Sequence, residues 1–272
     1  MQAIRDLHGQ IEALREEAAE LYALLRSLPE EQWHQPTTFK AWTPWDVVAH
    51  LHMGDHQGLT TLRDPEQFLA FRARLIATGL SRRDYTREWI GKLDGTGLRE
   101  LWYETLQTLC ETFMNAAPDV KLTWAGPGMK PRMFVTARQM ETWAHGFEIS
   151  DLLKHPRQHS DRLHGIATLG VRTYGWTFSN RKLDLPGEAP HVELISPSGA
   201  TWEWNSPQAD NYVKGNAVAF CQVVTQVRNI ADVALNVEGA PAKAWMDIAQ
   251  CFAGPPEDPP APGTREVSAR GS

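Results

Sequence analysis

Several things are scarce in this 272-residue chain. There are three cysteines, Cys110, Cys221 and Cys251, odd in number, far apart and set in apolar stretches. No Cys-x-x-Cys pair occurs, so a disulfide framework and a cysteine-based zinc or redox site are excluded. Buried free thiols in a reducing compartment are predicted instead. A basic excess is also missing: 27 Lys and Arg stand against 33 Asp and Glu, a net charge of −6. No basic cluster is longer than Ser81-Arg82-Arg83, so nucleic acid is not an expected partner. No run approaches the ~20 apolar residues of a membrane helix, and the start of the chain lacks the basic-then-apolar order of a secretory signal. A cytoplasmic protein acting on a small molecule, as monomer or homodimer and away from membranes, is the expectation. Gly126-Pro127-Gly128 is not followed by Gly-Lys-Ser/Thr, so it is no phosphate loop, and no serine nucleophile elbow is present.

What is plentiful is tryptophan, with 11 residues, several beside polar side chains. With 42% hydrophobic residues the chain can bury a core, and its length suits one large domain or two smaller ones. Apolar residues at Ile4, Leu7, Ile11, Leu14, Ala18, Leu21 and Leu25 predict an amphipathic helix over 3–27. Thr43-Pro44-Trp45-Asp46 combines a cap, a first-position proline and an acidic capping box, and opens a second helix toward Leu59. Asp64-Pro65-Glu66-Gln67 repeats that signal for a third helix to Ala77. Helices are further predicted over 96–116 and 132–154, separated by a loop at 122–131. The 132–154 helix has an inward stripe of Phe134, Ala137, Glu141, His145, Glu148 and Leu152.

After Pro156 the texture turns mixed: a helix over 162–178, a hairpin at 191–195 and 201–204, a helix over 214–227, a strand over 233–237 and a helix over 240–252. The fold class is α+β. The predicted domains are a helical one over 1–157, a smaller α+β one over 158–254, and a proline-rich flexible tail over 255–272.

Glu141 and His145 stand four apart in one helix, so their side chains leave the same face, with Glu148 three residues further on. Burying a carboxylate or an imidazole in an apolar bundle without a partner is costly. A divalent metal is one reason for their presence, since Glu oxygen and His nitrogen both suit Zn²⁺. His50, on or beside the apolar side of the second helix, is the natural third ligand; His52, Asp55 and His56 compete locally. The plainer alternatives are a hydrogen-bonded core histidine and a local Glu–His ion pair. The other histidines (His8, His34, His155, His159, His164 and His191) lie in polar surroundings and are expected at the surface.

Trp33, Pro36-Thr37, Trp42-Thr43 and the run Asp46-Val47-Val48-Ala49-His50-Leu51 resemble the N-terminal domain of mycothiol-dependent maleylpyruvate isomerases, within the DinB-type four-helix metalloenzymes. The run Ala137 to Gly146 is similar to the same family's Glu-x-x-x-His segment. The loop Trp124-Ala125-Gly126-Pro127 with Met129, the block Gly215 to Gln226 and the run Ala249 to Pro256 resemble an actinobacterial-type group of uncharacterised DinB-like proteins. The resemblance implies a DinB-like four-helix bundle followed by an α+β domain similar to sterol carrier protein type 2. It implies His50, Glu141 and His145 as metal ligands, with Zn the expected ion and Ni, Mn or Fe its alternatives. Glu148 stands where the family commonly has Asp and suits a ligand-orienting role.

Three functions are compatible with these residues. In the first, a low-molecular-weight thiol such as mycothiol occupies the open metal position, and S-transfer or isomerisation of a small electrophile follows. In the second, metal-activated water serves hydrolysis or hydration, with Glu148, or another carboxylate near the metal, as catalytic base. In the third, the protein is no enzyme and Trp42, Trp45, Trp124 and Trp143 line an apolar ligand cleft. Arg132 and Arg138 are the candidates for holding an acidic group, and Arg138 and Trp143 are the candidate cofactor-binding residues. None of this chemistry uses a cysteine. Replacing Cys110, Cys221 or Cys251 by Ser or Ala is expected to preserve activity, and complete inactivation by any one exchange would reveal a catalytic thiol.

Overall fold

A computed structural model describes residues 6–126 and 128–265. Ile4 of the first predicted stripe, Pro127 of the loop and residues 266–272 of the proline-rich segment lie outside the described residues. The chain divides into two compact units, Met1–Leu153 and Lys154–Ser272.

The first unit is helical: α1 (Leu7–Arg26), α2 (Pro44–Arg63), α3 (Pro65–Thr78), α4 (Arg82–Ile90), α5 (Gly95–Met114) and α6 (Pro131–Leu153). Local chemistry sets the starts of the first five. The side chains of Asp6, Thr43, Asp64, Ser81 and Asp94 each accept a hydrogen bond from the backbone N–H three residues on. At α2 the capping box predicted from Thr43 and Asp46 is complete, with Pro44 in the first turn. Helix α4 has no counterpart in the sequence expectations. Its nine residues carry no continuous apolar stripe; it is held by the Ser81 cap and by Arg83 and Arg87, which both bond Asp46.

Four long helices build the core: α1 packs on α5 and α6, and α2 packs on the same two. Leu14, Leu21, Val48, Trp102, Leu106 and Phe134 are among the side chains removed from water there, each contributing roughly 1.5–3 kcal/mol. Helix α6 is buried on more than the predicted stripe. Val135, Gln139, Thr142 and Trp143 are buried as well, because α6 meets α1 on one side and α2 on another. The buried Gln10 amide donates to Gln139 Oε1 at 2.6 Å across the α1–α6 contact.

Helices α2 and α6 run antiparallel: His50 faces Glu141, Asp55 faces Arg138, and Gly58 faces Phe134. Glycines permit this approach. A Cβ on Gly58 would stand 2.5 Å from Phe134 Cζ, and one on Gly54 would stand 2.6 Å from Arg138 Nη1. The loop before α6 is closed by two backbone hydrogen bonds between Leu122 and Met129, at 2.9 and 3.2 Å.

The second unit holds α7 (His164–Arg172), α8 (Tyr174–Asn180), β1 (His191–Ile195), β2 (Thr201–Trp204), β3 (Tyr212–Asn216), α9 (Ala217–Val224), β4 (Leu235–Glu238) and α10 (Ala240–Ile248). The sheet order is β2-β1-β3-β4, with β1 and β3 parallel and both outer pairs antiparallel. The hairpin falls where alternation predicts it, with Leu194 opposite Trp202. Two helix expectations are corrected. The helix over 162–178 is broken at Thr173 into α7 and α8, preceded by a single tight turn. The helix over 214–227 starts only at Ala217, because Lys214–Asn216 belong to β3 and the Asn216 side chain caps α9. His191 is buried at the start of central strand β1 rather than exposed. Residues 255–265 have no helix or strand, yet they are tied down: Gln226 donates to Glu257 O, Asn229 to Pro260 O, and Arg181 pairs with Asp258. No helix among the described residues is long and apolar enough to cross a membrane.

The tight α2–α6 approach makes a prediction. Gly58→Ala should destabilise the protein by about 1–3 kcal/mol through overpacking. Gly175→Ala, where a Cβ meets nothing within 4 Å, should be neutral or mildly stabilising. Denaturant midpoints of the two variants check this, and equal midpoints would contradict it.

Candidate metal centre

His50 projects from the second turn of α2, four residues after Asp46, and Glu141 and His145 from the middle of α6. His50 Nε2 lies 3.1 Å from Glu141 Oε2, and His145 Nε2 lies 3.5 Å from the same oxygen. The two imidazole centroids are 4.7 Å apart. One donor atom from each of the three falls within 4.8 Å of the others, and all three side chains are half-buried. The expected trio is therefore brought together by the fold.

The electrostatics match a cation site. Burial pushes the His50 imidazole down to about 3, outweighing the bond to Glu141 that would raise it. Burial would raise the Glu141 carboxyl, but hydrogen bonds from His145 and His50 hold it well below the usual range. A neutral imidazole and an ionised carboxylate are the states that ligate metal. Neighbouring ligands of a tetrahedral ion with bonds of about 2.0–2.1 Å stand about 3.3 Å apart, close to the two observed separations. His50 Nδ1 and His145 Nδ1 are buried with no hydrogen-bond partner among the described residues. The Nε2 nitrogens are thus the ones aimed at the centre, and the donor set fits a divalent ion.

A loop roofs the site. The Trp42 ring lies parallel to His145 at 5.9 Å and edge-on to His50 at 5.4 Å, while Phe39 meets His145 edge-on at 5.3 Å. Phe39 was not singled out from sequence; its spacing before Trp42, in a turn rich in Thr and Pro, was the available signal. Lys40 and Ala41, between these aromatics, both have positive φ, 50° and 53°.

The remaining candidates lie elsewhere. Glu148 is 3% exposed, one turn beyond His145, and is not among the converging donors. Trp143 leaves α6 on the side away from Glu141, 1% exposed and edge-on to Phe147. Arg138 is buried and turned to α2, where Nε bonds Asp55 Oδ1 at 2.7 Å and Nη2 the Leu51 carbonyl at 3.1 Å. Arg132 sits in the first turn of α6, nine residues before Glu141. Trp45 donates to the Leu93 carbonyl, and Trp124 stacks on Phe68. Of the four tryptophans considered as cleft lining, Trp42 has ring contacts with both histidines of the centre. His52 stacks on Trp89 at 5.3 Å and His56 meets the same ring edge-on. The three cysteines are buried, and burial pushes the Cys110 thiol up to about 12, so it is protonated at neutral pH.

A helical unit with a His–Glu–His centre joined to a small α+β unit defines a class, and comparison with known proteins identifies it. Residues 14–150 match the mycothiol maleylpyruvate isomerase N-terminal domain, and the chain belongs to that family. Two uncharacterised proteins of Mycobacterium tuberculosis, from strains CDC 1551 / Oshkosh and ATCC 25618 / H37Rv, are each 37% identical to it over 243 residues, 89% of this chain and 95% of theirs. The crystal structure of the mycothiol-dependent maleylpyruvate isomerase shares the fold, with a TM-score of 0.51 at 14% identity, over 80% of this chain and 88% of that one. A mutant of that enzyme matches with a TM-score of 0.50.

Burial also lowers His52 to about 4 and depresses His56. Below the ordinary histidine value of 6.5 the folded protein thus binds fewer protons at α2 than the unfolded chain does. Stability is fully present above that value and falls as pH drops toward 4. Urea midpoints of metal-free protein between about pH 7 and 4 should decline accordingly; a flat or rising profile would contradict the assignment.

Proposed function

We propose that the protein is a divalent-metal-dependent, thiol-dependent enzyme of the isomerase or S-transferase type, acting on a small electrophilic molecule. The carrying observation is the convergence of His50, Glu141 and His145 under Trp42 and Phe39. Three protein donors suit a catalytic ion with an open position, whereas a structural zinc usually takes four. Zinc is the ion we assign, Ni, Mn and Fe being its competitors. When bound, the ion supplies Lewis acidity and lowers the pKa of a thiol in the open position. The similar solved enzyme is mycothiol-dependent, and a thiol of that kind is the proposed cofactor.

The chain's own residues do the rest. His50, neutral through burial, and Glu141, ionised through its hydrogen bonds, are in the net charge states that a divalent ion takes up near neutral pH. Trp42 and Phe39 exclude water from one side of the centre and leave the approach to a small molecule on another. Glu148, buried one turn from His145, is assigned to orienting α6 and its ligands rather than to proton transfer, because so buried a carboxylate does not reach substrate. The placement of Arg138 against Asp55 supports a structural role in place of cofactor binding. For the first unit we propose a DinB-type bundle, and for the second a sterol-carrier-like fold. Three buried cysteines suit a cytoplasmic enzyme.

Metal analysis of protein purified without a metal-affinity column should find about one divalent ion per chain, lost in His145→Ala and in Glu141→Gln with helical content retained. Turnover of small conjugated electrophiles should require an added low-molecular-weight thiol. Undiminished metal in both variants would overturn the centre, and activity without any thiol would overturn the reaction type.

A further inference from the structure

Two further imidazoles on α2 take no part in the centre. His52 and His56 stand four residues apart, so they share one face of the helix. His52 lies about 160° and His56 about 120° around α2 from His50. They face α3 and α4, while His50 faces α6.

Aromatic walls surround the pair. Trp89 of α4 lies nearly parallel to His52 at 5.3 Å and meets His56 edge-on at 5.0 Å. Phe71 of α3 stands 6.2 Å from His56 and edge-on to Trp89 at 5.6 Å. These contacts engage the ring faces and leave the ring nitrogens unclaimed. His52 is 5% exposed and His56 half-buried, and the Nδ1 atom of each is sealed in without a hydrogen-bond partner among the described residues. Neither ring pairs with a carboxylate there. Core histidines are ordinarily held by hydrogen bonds; these two are held by none among the described residues. With Nδ1 sealed, Nε2 is the nitrogen that each ring leaves open.

The spacing suits a shared ion. An ion bonded to both Nε2 atoms at about 2.0–2.1 Å leaves the ring centres about 5–6 Å apart. The observed 6.4 Å closes to that by a small rotation about the terminal side-chain torsions, whose wells are broad. Burial keeps both imidazoles neutral near neutral pH, the state that ligates metal. A donor set of imidazoles without carboxylate suits late first-row ions and offers little to Mg²⁺ or Ca²⁺.

We propose that His52 and His56 form a second metal site, separate from His50, Glu141 and His145, which takes a late first-row divalent ion such as Ni²⁺ or Zn²⁺. Water completes the coordination. Two protein donors make this the weaker site, so it fills from added metal and empties during purification. A bound ion clips successive turns of α2 together and stabilises the helix that carries His50. The proposal stands whether or not the first centre takes metal.

Calorimetric titration of the full chain with Ni²⁺ and Zn²⁺, and with Mg²⁺ as control, tests this. The double variant Glu141→Gln/His145→Ala removes the first centre and isolates the second. It should bind about one Ni²⁺ or Zn²⁺ per chain. Adding His52→Gln or His56→Gln should weaken that binding about tenfold or more. Saturating Ni²⁺ should raise the melting temperature of the double variant and leave that of its His56→Gln derivative unmoved. His56 is only half-buried, so its variant judges the proposal even where His52→Gln fails to fold. Should the double variant unfold, His56→Gln in the wild-type background must bind one ion fewer per chain than the wild type. No binding to the folded double variant, equal affinity after His56→Gln, or Mg²⁺ bound as tightly as Ni²⁺ would overturn the proposal.

Discussion

The close antiparallel approach of α2 and α6 is the constraint on which the centre depends. Gly54 and Gly58 let Arg138 and Phe134 lie directly on the α2 backbone, where any larger residue would collide with them. Across that contact Asp55, fully buried, accepts from Arg138 Nε and from the Trp102 indole. A buried ion pair adds little net stability, but removing one partner costs about 3–5 kcal/mol. Its value here lies in register: with Asp55 held against Arg138, His50 stands opposite Glu141, and slippage by a turn would part them. The ion pair and the donor trio are consecutive rungs of the same helix pair.

A second constraint is local. Lys40 and Ala41 both occupy the left-handed region, a conformation that is costly for residues with a side chain. The Thr37 N–H to Trp42 carbonyl bond and the Thr43–Asp46 capping box pin the two ends of this turn. The result sets Phe39 and Trp42 over the histidines. Asp46 serves twice, closing the cap of α2 and accepting from Arg83 and Arg87. Burial would raise its carboxyl, but these bonds hold it down at about 2. One carboxylate thereby joins the start of α2, the roof loop and α4.

The charge around the centre contrasts with that of the whole chain. A net charge of −6 gives no hint that Arg83, Arg87 and Arg138 pair with Asp46 and Asp55 along α2, the helix that carries His50. Likeness at 14% identity extends to the fold, so these arginines have to be judged on this chain's own geometry.

Much was legible in the residues. The caps at Thr43 and Asp64, the apolar periodicity of α1 and α5, and the alternation in β1 and β2 are local signals, each acting within a few residues. His50, Glu141 and His145 were legible as a group through family resemblance joined to i, i+4 spacing. Helix α4 was not legible, since its two arginines find their partner 37 and 41 residues away. Arg138 had the right charge beside the right motif, yet points at Asp55, 83 residues back. Trp143 sits between two donors in sequence and on the far side of the helix in space. The sequence by itself determined the helix starts, the hairpin and the donor types, because those depend on neighbours along the chain. Only the tertiary structure decided which arginine meets which acid, because charges pair across helices by proximity in space.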